Sequence, residues 1–206
     1  MFGTHGNAGD PGSSKANRGE GWRLLARDWE GGVVTPAFEF QLSITGGELR
    51  FEARRAVPAP PQKHQAGEFC KGLWKSEVAE FFLAGGEGTY VEFNLSPGGA
   101  WWSCAFSSAR VPQDRKPVPL HGVESLVKGG PEQWWVEARI PLEAFHSFPL
   151  LHRQLLTEPQ TVRADVCGVV AGGEGEWQFL STVPDPKIEA DFHRPEVWRA
   201  GLVGGS

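Results

Sequence analysis

The stretch TYVEFNLSPGGAWW, residues 89–102, carries side chains suited to chemistry. Val91, Phe93 and Leu95 alternate with Tyr90, Glu92 and Asn94, the pattern of a strand with one apolar and one polar face. A Pro-Gly-Gly turn then leads into Trp101 and Trp102. Neighbouring strand residues point to opposite faces, so only one of the two indoles enters a given core layer. Parity with Phe106 and Arg110 puts Trp102 outward and Trp101 inward. A second pair opens another strand, whose polar face holds Trp135, Glu137 and Arg139. Indoles beside carboxylates, amides and guanidinium groups suit a sugar. Its C–H faces stack on the ring and its hydroxyls take hydrogen bonds from the polar neighbours. The competing use of each tryptophan is core packing, or cover by the N-terminal segment.

Other chemistries find less support. The six histidines, at 5, 64, 121, 146, 152 and 193, form no HxH, HExxH or zinc-spaced Cys/His pattern. No GxSxG or phosphate-binding P-loop motif occurs. Cys70, Cys104 and Cys167 leave one thiol unpaired under any disulfide scheme and are expected to be reduced, small apolar residues. The formal charge of -5, with no Lys/Arg run beyond two residues, lacks the basic stripe of a nucleic-acid binder. No apolar run approaches the roughly 18 residues of a membrane span. Residues 1–20 read as a disordered Gly/Ser/Asn tail without a signal-peptide core, so a cytoplasmic location is expected.

The elements that must position these groups are short strands. Alternation recurs over 37–44, 48–54, 133–140 and 161–170, and segments 77–83, 89–95, 101–110 and 176–183 add four more. The pentapeptide Ala-Gly-Gly-Glu-Gly occurs twice, at 84–88 and 171–175, and both copies are read as hairpin loops. Residues 141–145 suit one helical turn begun by proline, 148–159 a short helix or crossover, and 57–68 a Pro-rich loop. With 27 Gly and 16 Pro punctuating the 206 residues, the expectation is one all-β domain over 21–203. It is an antiparallel β-sandwich, jelly-roll or immunoglobulin-like, with one or two short helices and solvated outer faces.

Two blocks carry a family resemblance. LWKSEVAEFFLAGGEGTYVEFNLSPGGAWWSCAFSSAR (73–110) and ADFHRPEVWRAGL (190–202) resemble the DOMON-like and family 9 carbohydrate-binding module superfamily, β-sandwiches that bind sugars or haem. The resemblance implies that Trp74 stacks on a terminal sugar, Glu80 takes its hydroxyls, Asn94 assists and Arg110 matches a recurrent arginine. The sugar-binding family closes its site with a second Trp shortly before the last strand, but residues 181–195 contain none. Either Trp177 or Phe192 stands in, or the site is degenerate. Asp191, Phe192 and His193 are expected at the rim that holds Trp74. There Phe192 or His193 supplies the second platform, or else Asp191 caps a turn and Phe192 is a buried plug. Haem-binding relatives usually use a Met ligand; the only Met here is Met1, so haem is not expected, a bis-His variant being the alternative left open. Asp28, Glu30, Asp185 and Asp191 either bind a structural calcium or are solvated turn residues. The expected function is non-catalytic recognition of a saccharide on one face or rim; the alternative is a degenerate module serving as a structural or protein-interaction domain.

Overall fold

The computed structural model of the chain describes residues 21–205; the tail expected over 1–20 lies outside them. Among the described residues there are twelve strands: β1 (Arg23–Arg27), β2 (Val33–Thr45), β3 (Glu48–Arg55), β4 (Val78–Gly86), β5 (Thr89–Leu95), β6 (Trp101–Ser108), β7 (Val111–Pro112), β8 (Glu124–Val127), β9 (Trp134–Pro141), β10 (Ala164–Ala171), β11 (Trp177–Ser181) and β12 (Gly204–Gly205). One helix, α1 (Pro149–Thr157), starts with proline at its first position and buries Leu151 and Leu155 one turn apart. The first sheet runs β1-β2-β3-β9-β8, with β12 lying parallel to the end of β2 at Ser43 and Ile44. The second runs β11-β10-β4-β5-β6-β7 and is antiparallel throughout. Among the described residues no helix is long and apolar enough to cross a membrane.

The period-two apolar sets meet between the sheets. Phe38, Phe40, Leu42, Leu49, Phe51 and Trp134 come from the first; Phe81, Leu83, Phe93, Leu95, Trp101 and Val166 come from the second. Phe51 meets Phe81 edge-on at 5.1 Å, and Phe81, Phe93 and Trp101 stack in series at 5.1 and 5.8 Å. Gly168 lets the Phe38 ring approach β10; a Cβ there would lie 3.2 Å from that ring. Several expected boundaries shift for local reasons. The strand expected over 161–170 starts at Ala164, because Pro159–Thr161 is a 3-10 turn. The one expected over 101–110 ends at Ser108, before Arg110 takes a left-handed φ of 61°. Strands β1 and β8 had no clear alternation in the sequence.

Neither outer face is the simple solvated surface expected. On the first sheet, Glu137 is 0% exposed and its carboxylate is surrounded by cations. Arg50 reaches it at 2.5 Å, Arg139 at 2.6 Å, and Lys128 bridges it to Glu52. Arg54 pairs with Glu39 and lies 3.9 Å from the Trp22 ring, which meets Trp135 edge-on. Trp135, Glu137 and Arg139 are therefore committed to one another and to this network rather than displayed for a ligand. The outer face of the second sheet is covered by chain.

Burial raises the Glu137 carboxyl, but the hydrogen bonds from Lys128, Arg139 and Arg50 outweigh it and bring its pKa down to about 2. Its contribution to stability is thus present above the ordinary carboxylate range, about 4.3, and is lost as pH falls through about 2. Glu137→Gln should cost about 3 kcal/mol at pH 7, and the gap from the parent should close between pH 4.5 and 2. Urea titrations across that range measure it; a gap that does not change with pH assigns the effect to packing.

Candidate functional site

The strand register assembles a polar row on the outer face of the second sheet. Cys167, Glu80, Asn94 and Trp102 stand side by side on β10, β4, β5 and β6. The next row is Asp165, Phe82, Glu92 and Cys104, followed by Tyr90 beside Phe106. Two chain segments fold over these rows. One, around 65–76, includes the buried Leu73. The other follows β11 and buries Trp198 edge-on to Tyr90 at 5.1 Å and near Phe82 at 5.5 Å.

Between them opens a cavity of about 440 Å³. Glu80, Phe82, Glu92 and Trp102 line its floor, Lys71 and Trp74 one wall, Phe192 and His193 another, and Arg110 its rim. The 3-10 turn Leu73–Lys75, entered through Gly72 at a φ of 96°, sets Trp74 partly exposed and 5.0 Å from the Trp102 ring. Trp101 packs inward between the sheets, so the Trp101-Trp102 pair splits between core and cavity.

Six of the nine residues singled out in the sequence line this cavity: Trp74, Glu80, Trp102, Arg110, Phe192 and His193. Asn94 is 0% exposed and sits between Glu80 and Trp102 in the row. Asp191 does not line the cavity. Its Oδ1 accepts from the Arg110 guanidinium at 2.7 Å and from the His193 backbone N–H at 2.9 Å, bracing the wall instead. Trp177 is 46% exposed and lies on a different cavity, so it is not the second platform for Trp74. Phe192 packs near Trp29, Phe82 and Phe179 rather than being wholly buried. Among the described residues neither Phe192 nor His193 packs on the Trp74 ring. Glu92, Phe82 and Phe179 also line the site. Glu92 was signalled by its parity with Tyr90 and Asn94; Phe179 and Lys71 had no signal.

The floor is electrostatically unusual. Glu80 is 2% exposed, and its Oε1 has no hydrogen-bond partner among the described residues. The same holds for Asn94 Oδ1 and Trp102 Nε1. Burial, reinforced by Glu92 and Asp165, pushes the Glu80 carboxyl well above the usual carboxylate range. Burial raises Glu92 to about 7 against the opposing pull of an Asn94 hydrogen bond and the Arg110 charge. Asp165 is also raised by burial, though Ser181 and Thr182 donate to it. The Tyr90 hydroxyl accepts from the Arg110 N–H at 2.9 Å and donates to His193 Nδ1 at 2.7 Å. That tautomer leaves a proton on His193 Nε2, 3.8 Å from Glu92 Oε2. Burial, then Arg110, hold the imidazole down at about 4, so it is neutral at pH 7.

The cavity therefore offers two indoles, two carboxyls that burial shifts toward their protonated forms and an imidazole N–H, with the Asn94 amide buried between Glu80 and Trp102. Among the described residues no three His, Cys, Asp or Glu side chains gather as metal ligands. Of the loop acids considered for calcium, Asp28 accepts from the backbone of Glu30 and Gly32, and Asp185 from that of Lys187.

No protein-family model matches the chain, and no curated protein matches it in sequence. Solved structures do match in fold. A Bacteroides uniformis protein to which carbohydrate binding is ascribed is 19% identical with a TM-score of 0.63, over 90% of this chain and 86% of its own. A family 9 carbohydrate-binding module from Caldicellulosiruptor kristjanssonii, in complex with cellotriose, is 10% identical with a TM-score of 0.55, over 90% of this chain and 83% of its own. The same kind of module in complex with glucose gives 10% and 0.53, over 89% and 85%. The fold is that of the family 9 modules.

The raised Glu92 carboxyl has a stability consequence. The folded state holds this proton more tightly than the unfolded chain, so the contribution is complete below about 4.3 and is lost as pH rises through about 7. Glu92→Gln should be more stable than the parent by about 2 kcal/mol at pH 8 and no different at pH 4.5. Chemical denaturation at the two pH values measures this; a variant less stable at pH 8 shows that ionised Glu92 is stabilised by the fold.

Proposed function

We propose that the chain is a non-catalytic saccharide-binding domain whose site is the cavity over Glu80, Asn94 and Trp102. One observation carries this reading. Three cross-strand neighbours each hold a buried polar atom with no partner among the described residues, and two of the three line an open cavity. Each such atom costs on the order of 1–3 kcal/mol, and three in one row mark a place where partners arrive from outside the chain. Sugar hydroxyls fit that role, since each both donates and accepts. The Trp102 N–H donates, the Glu80 carboxyl, shifted toward its protonated form, can donate or accept, and the buried Asn94 amide holds the row between them. Trp74, partly exposed beside Trp102, presents a ring face for the C–H side of a pyranose. The structural neighbours in complex with cellotriose and glucose support the same ligand class. His193, a neutral imidazole whose Nδ1 accepts from the Tyr90 hydroxyl, acts here as a donor through Nε2 rather than as a base.

Glu80→Leu separates binding from folding. It removes an unpartnered buried carboxyl and keeps the volume, so the melting temperature should hold or rise while saccharide binding is lost. Trp74→Ala should abolish the ligand-induced change in tryptophan fluorescence at a stability cost of about 1 kcal/mol. Calorimetry against an oligosaccharide panel that includes cellotriose and acidic oligosaccharides reads the first. If the parent binds none of the panel, the chain is better described as a degenerate module with a structural or protein-interaction role.

A further inference from the structure

A second cavity, of about 370 Å³, adjoins the first. Lys71 lines both, and the Leu73–Lys75 turn forms the wall between them, with Trp74 on one side and Lys75 on the other. On β11, Phe179 belongs to the first cavity and Trp177 to the second. Residues two apart on a strand share a face and lie roughly 7 Å apart, the scale of one step along a sugar chain.

The charge of this second cavity opposes that of the molecule. The chain as a whole carries -5, yet Lys63, Lys71 and Lys75 line the cavity and none has an ion-pair partner among the described residues. Its one lining acid, Glu77, is taken by Arg55. Trp177 stands 46% exposed beside these cations. Unpaired lysines around a cavity with an exposed indole fit a ring that carries negative charge.

We infer that the ligand is an acidic oligosaccharide, one ring of which occupies the Glu80 cavity while an adjoining ring places a carboxylate or sulfate among Lys63, Lys71 and Lys75. This rests on the saccharide reading above and adds the charge of the ligand and the place where that charge is read. The two anion sources share the lysines but differ in shape: a uronate carboxylate is planar and lies on the ring carbon chain, whereas a sulfate ester projects further out.

The test compares cellotriose, trigalacturonic acid and a sulfated trisaccharide by calorimetry, at low salt and at about 0.5 M, where the screening length is only a few ångströms. One of the acidic ligands should bind about tenfold more tightly than cellotriose at low salt, and that advantage should vanish at high salt. Which of the two does so identifies the anion. Lys63→Gln with Lys75→Gln, both exposed and lining only the second cavity, should remove the advantage and leave the melting temperature unchanged. Binding of cellotriose equal to or tighter than both acidic ligands overturns this inference and keeps the saccharide reading. An advantage that survives the double variant also overturns it. Binding of no saccharide overturns both, and tight binding of an oligodeoxythymidylate in its place would assign the lysines and Trp177 to a single-stranded nucleic acid.

Discussion

A carboxyl group removed from water keeps its charge only where cations or donors replace the lost hydration; otherwise it takes up a proton. Both sheets of this sandwich carry glutamates in the middle of their outer faces, and each answers that constraint in its own way. On the first sheet Arg50, Lys128 and Arg139 converge on Glu137, which stays ionised in a self-contained network. On the second, Glu80 has no ion-pair partner among the described residues, and Glu92 has the Arg110 charge and a neutral His193 at 3.8 Å. The chain folds over these carboxyls without neutralising them. A closed ionic surface results on one side, and on the other a cavity floored by acids that burial pushes toward their protonated forms.

That contrast accounts for much of the local architecture. The cover over the second sheet is apolar where it meets Phe82, Tyr90 and Phe106, through Trp198 and Leu73. It withdraws where the row of Glu80, Asn94 and Trp102 offers nothing for an apolar side chain to satisfy. Arg110, whose charge opposes the rise of the Glu92 carboxyl, reaches across to Asp191 and is occupied at the rim. The Tyr90 hydroxyl, wedged between the Arg110 N–H and His193, sets which nitrogen of that ring faces the cavity.

Most of the sandwich was legible in its alternation. Phe38, Phe40 and Leu42, or Phe81 and Leu83, are apolar at period two because they enter one core, and nothing competes with that signal. The outer faces were less so. Tyr90-Glu92-Asn94 and Trp135-Glu137-Arg139 look alike as strings, yet one is buried under chain and the other is bound up in ion pairs. The difference lies in residues distant in sequence, Trp198 for the first and Arg50 and Lys128 for the second. The two Ala-Gly-Gly-Glu-Gly copies make the same point. At 84–88 the backbone turns through three left-handed residues, 86 to 88, while at 171–175 it forms a 3-10 turn with only Gly175 left-handed. Trp74, Glu80 and Asn94 were named through motif resemblance; the first two line one cavity, and Asn94 is buried beside Glu80 on the neighbouring strand. Trp177 was named as a stand-in for the second tryptophan that the resemblance expects, and the direction of β11 carries it past the first cavity into the second.

The segment that supplies Phe192 and His193 does not end loosely. Arg199 bridges back to Ala164 on the second sheet, and Gly204–Gly205 then adds to β2 on the first. Gly204 and Gly205 thus meet Ser43 and Ile44, and the loop so closed spans most of the described residues. Loop-closure entropy grows only slowly with length, so the cost of this long circuit is modest, but it is met once, during folding. The wall of the proposed site is thus tethered at both sheets before any ligand arrives, which leaves little to order on binding. The two-residue strand at the far end of the chain acts in this sense as a latch for a site it never touches.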